Sequence, residues 1–570
     1  MRFQILQNVI FLFLGIITAV LTYMQLVRGE YYHERSLNNR IRVVSIEAPR
    51  GRILDRGGAV LADNRLSFNI AVIPQDIENK DALFGFLSAA LNKDRWSLET
   101  LYARHYVTPF EPVIIARDID RGVLINIEEN RFRYPGLGIE ESFERFYPFH
   151  EDGAHALGYV GKIDAAQAEA LWEYGRTPLS IVGKSGVERF YDDLLEGSVG
   201  GRQIEVNSRG QEVSLLGFKE PSRGKDIGLS IDQRVQSTAS ELLAGRPGSV
   251  VVMDMSNGDV LSIVSSPAFD PNVFIDSGQN DKIREYMRGR SSPLLNRAIS
   301  GQYPPGSVFK ALVALSALEL NKITPRTAFD CPGHYMIGGS RFGCPHEHGR
   351  EDLFGAIAHS CNVYFFHIGQ MVTAPVIDAY ARAFGLNRLT GIDLPFESQG
   401  NLLLPSRKKN RWYAGDTLNL SIGQGDTLAT PLQLTVLMAA IANDGIVLKP
   451  RLLKTIDGKV LPAPDLAKRP IVRLRDSTWR AVQQGLRMTV EDEQGTGHLL
   501  STLNGMHVWG KTGTAQAGRL QENHAWFAGY VRSPKNNLAF CVFLEHGGSS
   551  ANAVALTRDL LERIQSFGVI

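Results

Sequence analysis

The chain has 570 residues, 44% of them hydrophobic, with 61 Lys and Arg against 60 Asp and Glu and a formal net charge of +1. That length and apolar content can bury more than one core, so two or three domains are expected. A balanced charge with no long basic run excludes the electrostatic footprint of a nucleic-acid-binding protein, and no nucleic-acid partner is expected.

From Val9 to Val27 the sequence is apolar except for Thr18, Thr22 and Gln25, a length that suits one membrane crossing. A signal peptide is the competing reading, but the segment is long for a signal core. The following Gln25-Leu-Val-Arg-Gly-Glu30 also lacks a small-x-small cleavage site. The expectation is a short cytoplasmic tail at 1–8 and a retained anchor at 9–27. Arg2 and Arg28 are too few to orient it by flanking charge.

Residues 28–225 read as a mixed pedestal and docking domain. Ile41 to Ile46 and Ser67 to Ile73 alternate like strands, and the glycines and charges of Ala48-Pro-Arg-Gly-Arg-Ile-Leu-Asp-Arg56 mark an ion-paired turn between them. Residues 80–105 and 163–175 have helical character, and 154–161 resembles the start of a strand-and-turn unit. Gly183 to Gly197 reads as one capped helix, with Ser185 as N-cap, Glu188 three residues on and Gly197 as terminator. Nothing in this region suggests a metal, a cofactor or a nucleophile.

Residues 226–570 form a second compositional block. A short strand at Leu229, a helix over 233–243 and two strands, 249–255 and 260–265, come first, the strands joined by the hairpin signal Ser256-Asn-Gly-Asp259. Helices dominate from about 307 to 443. Strands then flank Lys511, span 524–530 and run from 538 to 545, before an amphipathic helix over 551–567. This order predicts an α+β domain whose first and last portions share one antiparallel sheet sandwiched by helices.

Within it, Pro304-Pro-Gly-Ser-Val-Phe-Lys310 halts the preceding chain, and the apolar run after Ser307 has the length of a buried helix. Lys310, three residues beyond Ser307, lies on the same face. A serine needs a neighbour to take its proton, and a lysine can do so only when burial or another cation lowers its pKa. The tetrad alone is weak, since Ser222/Lys225 and Ser406/Lys409 repeat it in polar linkers with no buried helix behind them. Ser360-Cys361-Asn362 and Lys511-Thr512-Gly513-Thr514 follow downstream.

Ser307-x-x-Lys310, Ser360-x-Asn362 and Lys511-Thr-Gly-Thr514, in that order, resemble the penicillin-binding proteins and serine β-lactamases. The resemblance extends to Arg50-Gly-Arg-Ile-Leu-Asp-Arg56, 154–161 and 183–192 in the first region, and to Ser421–Gln433 and 524–530 in the second. It points to class B, monofunctional members, and total length, the 183–197 stretch and the cysteines most resemble the elongation-type penicillin-binding protein 2 branch. It implies a peptidoglycan D,D-transpeptidase of a bacterial cytoplasmic membrane, single-pass, with its catalytic domain outside. Stem peptides would be the substrates, β-lactams would acylate Ser307, and a RodA-type glycosyltransferase and an MreC-type scaffold would be partners. In this reading Lys310 accepts the Ser307 proton, and Ser360 and Asn362 relay protons and hold a substrate amide. Lys511 lowers the Lys310 pKa and attracts the substrate carboxylate with Thr512, Gly513 and Thr514 beside it. The backbone N–H groups of Ser307 and Thr514 would form the oxyanion hole.

Cys331, Cys344, His348 and Cys361 supply the kinds and number of ligands found in a closed structural Zn2+ site, and some elongation-type relatives carry a similar set. A Cys331–Cys344 disulfide and free thiols are the alternatives, and His346 could replace His348. His334 and His359 read as ordinary polar residues and Cys541 as core. Three rival functions remain. A division-type transpeptidase would differ in partner. A β-lactam sensor would need a signalling region across the membrane, and only a few residues precede Val9. A β-lactamase would need a deacylating base, and no glutamate is assigned that role.

Overall fold

The computed structural model describes residues 2–32, 41–46, 48–109, 111–163, 181–207, 212–275, 279–402, 412–462, 472–518 and 521–570. The helix expected over 163–175 falls, beyond Ile163, outside them, as do Ser406 and Lys409. An N-terminal helix, Arg2–Thr22, continues as a π-helical turn, Tyr23–Val27. Phe3–Val27 is long and apolar enough to cross a membrane, and none of it is buried by protein. The helix starts ahead of Val9 because Phe3, Ile5 and Leu6 carry the apolar surface toward the N-terminus.

The described chain divides into two compact units whose segments alternate in sequence. The smaller comprises Met1–Arg50, Asn64–Glu144 and Glu196–Gly224; the larger comprises Gly51–Asp63, Arg145–Leu195 and Lys225–Ile570. In the smaller, Ile41–Ile46, Gly200–Val206 and Glu212–Lys219 form an antiparallel sheet. The stretch 80–105 is two helices, Lys80–Leu91 and Arg95–His105. Asn92 closes the first in the left-handed region, and the Asp94 carboxylate caps the second by accepting from Ser97 N. Leu83, Phe84, Leu87, Leu98 and Tyr102 from these helices share a core with Ile70, Val72, Val113 and Ile115.

In the larger unit, Ala154–Leu157 is a short helix leading to a strand, Val160–Lys162, paired with Ile181–Gly183. The single capped helix expected over 183–197 is instead two short ones, Gly186–Phe190 and Asp192–Leu195. Ser185 stands at the N-cap but its side chain makes no capping bond. Glu188, the expected reciprocal partner, is drawn into an ion pair with Arg145 at 2.7 Å, the two side chains 0% and 2% exposed. Tyr147 Oη donates to the same carboxylate oxygen at 3.2 Å. A charge held this deep needs its counter-ion more than the helix needs its cap.

The centre of this unit is built from α1 (Gln233–Leu243), β1 (Gly248–Asp254), β2 (Val260–Ser266), α2 (Lys310–Glu319), α3 (Leu353–Ala358), α4 (Asn362–Val372), α5 (Pro431–Ala442), α6 (Asp476–Glu491), β3 (His507–Ala515), β4 (His524–Arg532), β5 (Leu538–Leu544) and α7 (Ser550–Ser566). The sheet order is β2-β1-β5-β4-β3, antiparallel throughout, so the first and last portions of the domain do share one sheet. The β1–β2 turn is closed by Asp254 Oδ1, which accepts from Ser256 N, and by Asn257 Oδ1, which accepts from Asp259 N. Alternation along β1 separates two cores. Val250 and Val252 pack with Val235, Leu243, Leu560 and Ile564, whereas Val251 and Met253 pack with Phe309, Leu312 and Leu437 on the other side. All 12 residues of α5 are buried, which explains a helix without a polar face.

Arg145→Met removes the guanidinium that balances the buried Glu188 carboxylate at 2.7 Å, and breaking a buried ion pair from one side costs about 3–5 kcal/mol. A clear fall in melting temperature of the detergent-solubilised chain is expected, partly restored in Arg145→Met/Glu188→Leu; an unchanged melt for the single variant contradicts the pairing.

Candidate active site

Ser307 is the second residue of a 3-10 turn, Gly306–Phe309, that runs directly into α2 at Lys310. Residues i and i+3 nearly eclipse in such a turn, so Lys310 stands on the face of Ser307. The turn is clamped from two sides. Gly306 has φ +53°, and a Cβ there would lie 2.9 Å from Thr514 O on β3. Gly423 has φ +67°, and a Cβ there would come within 2.4 Å of Gly306 O and 2.7 Å of Phe309 Cβ. Gly306 N also donates to Gly423 O at 2.9 Å. Only glycine fits both positions, and its absence of a side chain lets β3 and the 421–425 loop touch the Ser307 turn.

Lys310 is 0% exposed and its ammonium is shared by the second motif. Nζ donates to Ser360 O and Asn362 Oδ1, both at 2.7 Å, and to Ser360 Oγ at 3.3 Å. Ser360 reaches this position with φ +61°, a left-handed conformation that a serine adopts only under constraint. Asn362 opens α4, and its Nδ2 donates to Gly343 O at 3.1 Å. Lys511 lies on edge strand β3, also 0% exposed, and its Nζ donates to Thr512 O and Thr512 Oγ1, each at 3.3 Å. Thr512 and Thr496 share a 2.7 Å hydroxyl contact, and Thr496 Oγ1 donates to Ala358 O at 3.2 Å, linking β3 to α3 just ahead of Ser360.

Burial pushes the Lys310 amine down to about 8 from its usual 10.5, against the opposing pull of the Cys361, Cys344 and Cys331 thiols. Lys511 is lowered well below its ordinary value, first by burial and then by the charge of Lys310. The repulsion between the two amines is mutual, so each charge disfavours the other. Two ammonium groups cannot both stay charged in a dry site, and Lys310 has shorter bonds to more acceptors, so Lys511 yields its proton first.

Behind Ser360, the expected ligand set converges. The ligand atoms of Cys331, Cys344, His348 and Cys361 all lie within 4.8 Å of one another. His348 Nδ1 is 3.5 Å from both Cys331 Sγ and Cys344 Sγ. Bonds of about 2.0–2.3 Å around a tetrahedral ion separate ligand atoms by about 3.5–3.8 Å, so the set fits. The Cys344 thiol is pushed down by the hydrogen bond from the Cys361 thiol and by the backbone N–H groups of Val363 and Asn362. All four cysteines are free, so the Cys331–Cys344 disulfide is not formed, and His348, not His346, joins the group. Cys361 is fully buried and also N-caps α4, accepting from Tyr364 N at 3.5 Å, while Ser360 and Asn362 on either side face Lys310. His359 binds Glu351 at 2.8 Å and His334 binds Pro332 O at 3.1 Å, neither within the group.

Three contributors were not identified from sequence. Gly423 and Gln424 lie in the 421–433 stretch, which carried only a resemblance, and Thr496 stood in no motif. Gln424 Nε2 donates to Thr514 O at 3.1 Å and its Oε1 accepts from Gln516 N at 3.3 Å. Thr514 itself is exposed at the mouth of the site.

A penicillin-binding protein transpeptidase domain model matches residues 248–562, more than half of the chain. The chain belongs to the penicillin-binding protein transpeptidases. A penicillin-binding protein dimerisation domain model matches residues 45–229 in addition. Among relatives of this family, the peptidoglycan D,D-transpeptidase MrdA of Haemophilus influenzae is 32% identical, over 97% of this chain and 90% of its own. MrdA of Escherichia coli K12 is 32% identical over 97% and 92%. Penicillin-binding protein PBP2 of Helicobacter pylori, solved with MreC, superposes with a TM-score of 0.82 at 28% identity, covering 93% of this chain and 99% of that one. A chain of a peptidoglycan synthase complex that couples polymerization to crosslinking superposes with a TM-score of 0.74 at 29% identity, covering 99% and 98%. The transpeptidase fold expected from the motifs is thereby established, and the region expected as a pedestal and docking domain matches a dimerisation domain.

Gly423→Ala forces a methyl group into the Ser307 turn, and overpacking of this kind costs about 1–3 kcal/mol. A lower melting temperature is expected, with Gly425→Ala, whose site is open apart from Asn419 Cβ at 3.7 Å, as the milder comparison. Equal effects at the two positions contradict the clamp.

Proposed function

We propose that this chain is a serine peptidoglycan D,D-transpeptidase of the elongation type. One observation carries the reading: a single buried ammonium, Lys310 Nζ, is held by Ser360 and Asn362 within one turn of Ser307. Family membership along almost the whole chain supports it. Ser307 Oγ attacks the carbonyl of the penultimate D-Ala of a stem peptide, and Lys310, as the neutral amine, takes its proton. The backbone N–H groups of Ser307 and Thr514 stabilise the oxyanion. The bond to the terminal D-Ala breaks, Ser360 passes a proton to the leaving amine, and an amine from a neighbouring stem resolves the ester into a cross-link. Lys511, Thr512 and Gly513 line the carboxylate subsite, and an arriving carboxylate draws a proton back to Lys511. β-Lactams trap Ser307 as a stable ester.

In the same reading, 1–8 is a cytoplasmic tail, 9–27 the anchor, 28–225 the pedestal and 226–570 the catalytic domain on the outer side of the cytoplasmic membrane. A RodA-type glycosyltransferase and an MreC-type scaffold are the partners; the similar Helicobacter pylori protein was solved with MreC, and another similar chain belongs to a complex that coordinates polymerization with crosslinking. Cys331, Cys344, His348 and Cys361 would hold Zn2+, which in such a closed site supplies a structural tie and no catalysis. The residues' own part is to fix Ser360 and Asn362 against Lys310.

Intact-protein mass spectrometry after benzylpenicillin is expected to give one adduct, lost in Ser307→Ala; an adduct that persists in that variant contradicts the assignment. Rapid nitrocefin turnover in place of a stable ester would instead indicate a hydrolase. Acylation requires neutral Lys310, so its rate should rise with pH through about 8 and then level off. At pH 7 about one-tenth of the amine is neutral, against about 0.03% for an unshifted lysine. A rate flat from pH 6 to 9 argues against lysine as the base. Elemental analysis should find one zinc per chain, and Cys361→Ser should lose it and melt earlier.

A further inference from the structure

Three of the chain's four cysteines stand behind the loop that holds Lys310, and they differ in how far solvent reaches them. Cys331 is 1% and Cys361 0% exposed, whereas Cys344 is partly open and sits between the exposed residues Gly343 and Pro345. A small reagent arriving from solvent meets the Cys344 sulfur first. That sulfur is also joined to the active-site loop, since it accepts from Asn362 N at 3.2 Å while the neighbouring Gly343 O accepts from Asn362 Nδ2 at 3.1 Å. The Cys361 thiol hydrogen-bonds to it, the two sulfurs lying within 4.8 Å of each other. Cys331 Sγ is engaged on its other side, with His346 O at 3.6 Å and His348 Nδ1 at 3.5 Å.

We propose that Cys344 and Cys361 are a peroxide-sensitive pair: oxidation joins them in a disulfide, moves Ser360 and Asn362 off Lys310 and slows acylation, and a thiol reductant reverses the change. The inference rests on Ser307 being the acylated serine and on the four ligands holding zinc, with both sulfurs as thiolates. The Cys344 sulfur attacks one oxygen of hydrogen peroxide, the O–O bond breaks, and the other oxygen takes a solvent proton and leaves as water. The Cys361 sulfur then attacks the Cys344 sulfenic acid. The S–O bond breaks, an S–S bond forms, and a second solvent proton completes a second water. The sulfur pair loses two electrons and the peroxide gains them. Cys331 and His348 alone are too few ligands for a closed site, so the ion is released. Sulfurs about 3.5–3.8 Å apart around a tetrahedral ion must close to about 2.0 Å in a disulfide. Ser360, already at φ +61°, and Asn362 flank the residue that has to move, so their 2.7 Å contacts with Lys310 are lost.

The test treats the detergent-solubilised full chain, as purified, with hydrogen peroxide. Linked peptides are identified by mass spectrometry, released zinc is measured with a chromogenic chelator, and acylation is timed with a fluorescent penicillin. A Cys344–Cys361 peptide pair should appear in step with one zinc per chain. Acylation should slow about 10- to 100-fold, as expected when a catalytic group shifts by about 1 Å. Dithiothreitol with added zinc should restore the rate, which separates the disulfide from irreversible oxidation elsewhere. Cys344→Ser should lose both the link and the peroxide effect on the rate. Cys331→Ser removes a ligand but keeps the pair, so it should still form the link and still slow under peroxide. A Cys331–Cys344 link, a Cys344 sulfenic or sulfinic acid without a link, or a link that leaves the rate unchanged overturns the proposal. If the untreated chain holds no zinc, the metal reading fails, and the link and the rate still decide the thiol pair. If the untreated chain is not acylated, the acyl-enzyme reading fails and the proposed effect on the rate falls with it.

Discussion

The structure of the site depends on keeping one ammonium group dry. Lys310 has no exposed surface, and removing a charge from water is affordable only when acceptors replace the lost hydration. Ser360 O, Ser360 Oγ and Asn362 Oδ1 do this, yet they do not restore the ordinary affinity for the proton. The imbalance is useful. A fully satisfied lysine would hold its proton at neutral pH and never act as a base, while an unsatisfied one would lose it permanently and could not return it. Lys511, with two longer contacts to a single residue, sits further along the same scale and is the one whose charge a bound carboxylate can restore.

The central sheet serves this balance by bringing remote segments into contact without room for water. Ser307, Lys310, Ser360 and Lys511 come from a turn, a helix, a loop and an edge strand, and each is pinned to a rigid element. The approach of Gly513 to Pro305 O, of Gly306 to Thr514 O and of Gly423 to Gly306 O replaces side-chain packing with backbone packing. Backbone N–H groups can therefore converge on one point, which an oxyanion hole demands and which bulkier residues would prevent.

What could be read from the sequence followed the range of the forces involved. The central strands, α1 and α7 carry local periodicity, and their positions are recovered to within a residue or two of expectation. The Ser307 turn was legible because proline, glycine and an apolar run are local signals. The small hairpins between Phe329 and Glu351, which bear three of the four candidate metal ligands, were not legible: their strands are three or four residues long and only two of their residues are buried, so no alternation develops. Ser185 and Glu188 have the spacing of a capping box, but Arg145, 43 residues away, takes the carboxylate. Which of the two lysines holds its proton more firmly likewise depends on acceptor geometry, which no motif encodes. Gln424 illustrates the same limit, because its partners are backbone atoms about ninety residues downstream.

Ser360 shows how strain and tether belong together. A serine at φ +61° relaxes unless its neighbours are fixed on both sides. On one side His359 is bound to Glu351, and α3 is tied through Ala358 to Thr496 and so to β3. On the other, Cys361 is buried among Cys331, Cys344 and His348 and caps α4. A Cys331–Cys344 disulfide would join only two points of the hairpin region and leave Cys361 out. The side chains of Cys331, Cys344, His348 and Cys361 instead gather both hairpins around the single residue between Ser360 and Asn362. The strained carbonyl accepts from Lys310 at 2.7 Å because the chain on either side is held, so the contact between Ser360 and Lys310 is a property of the scaffold.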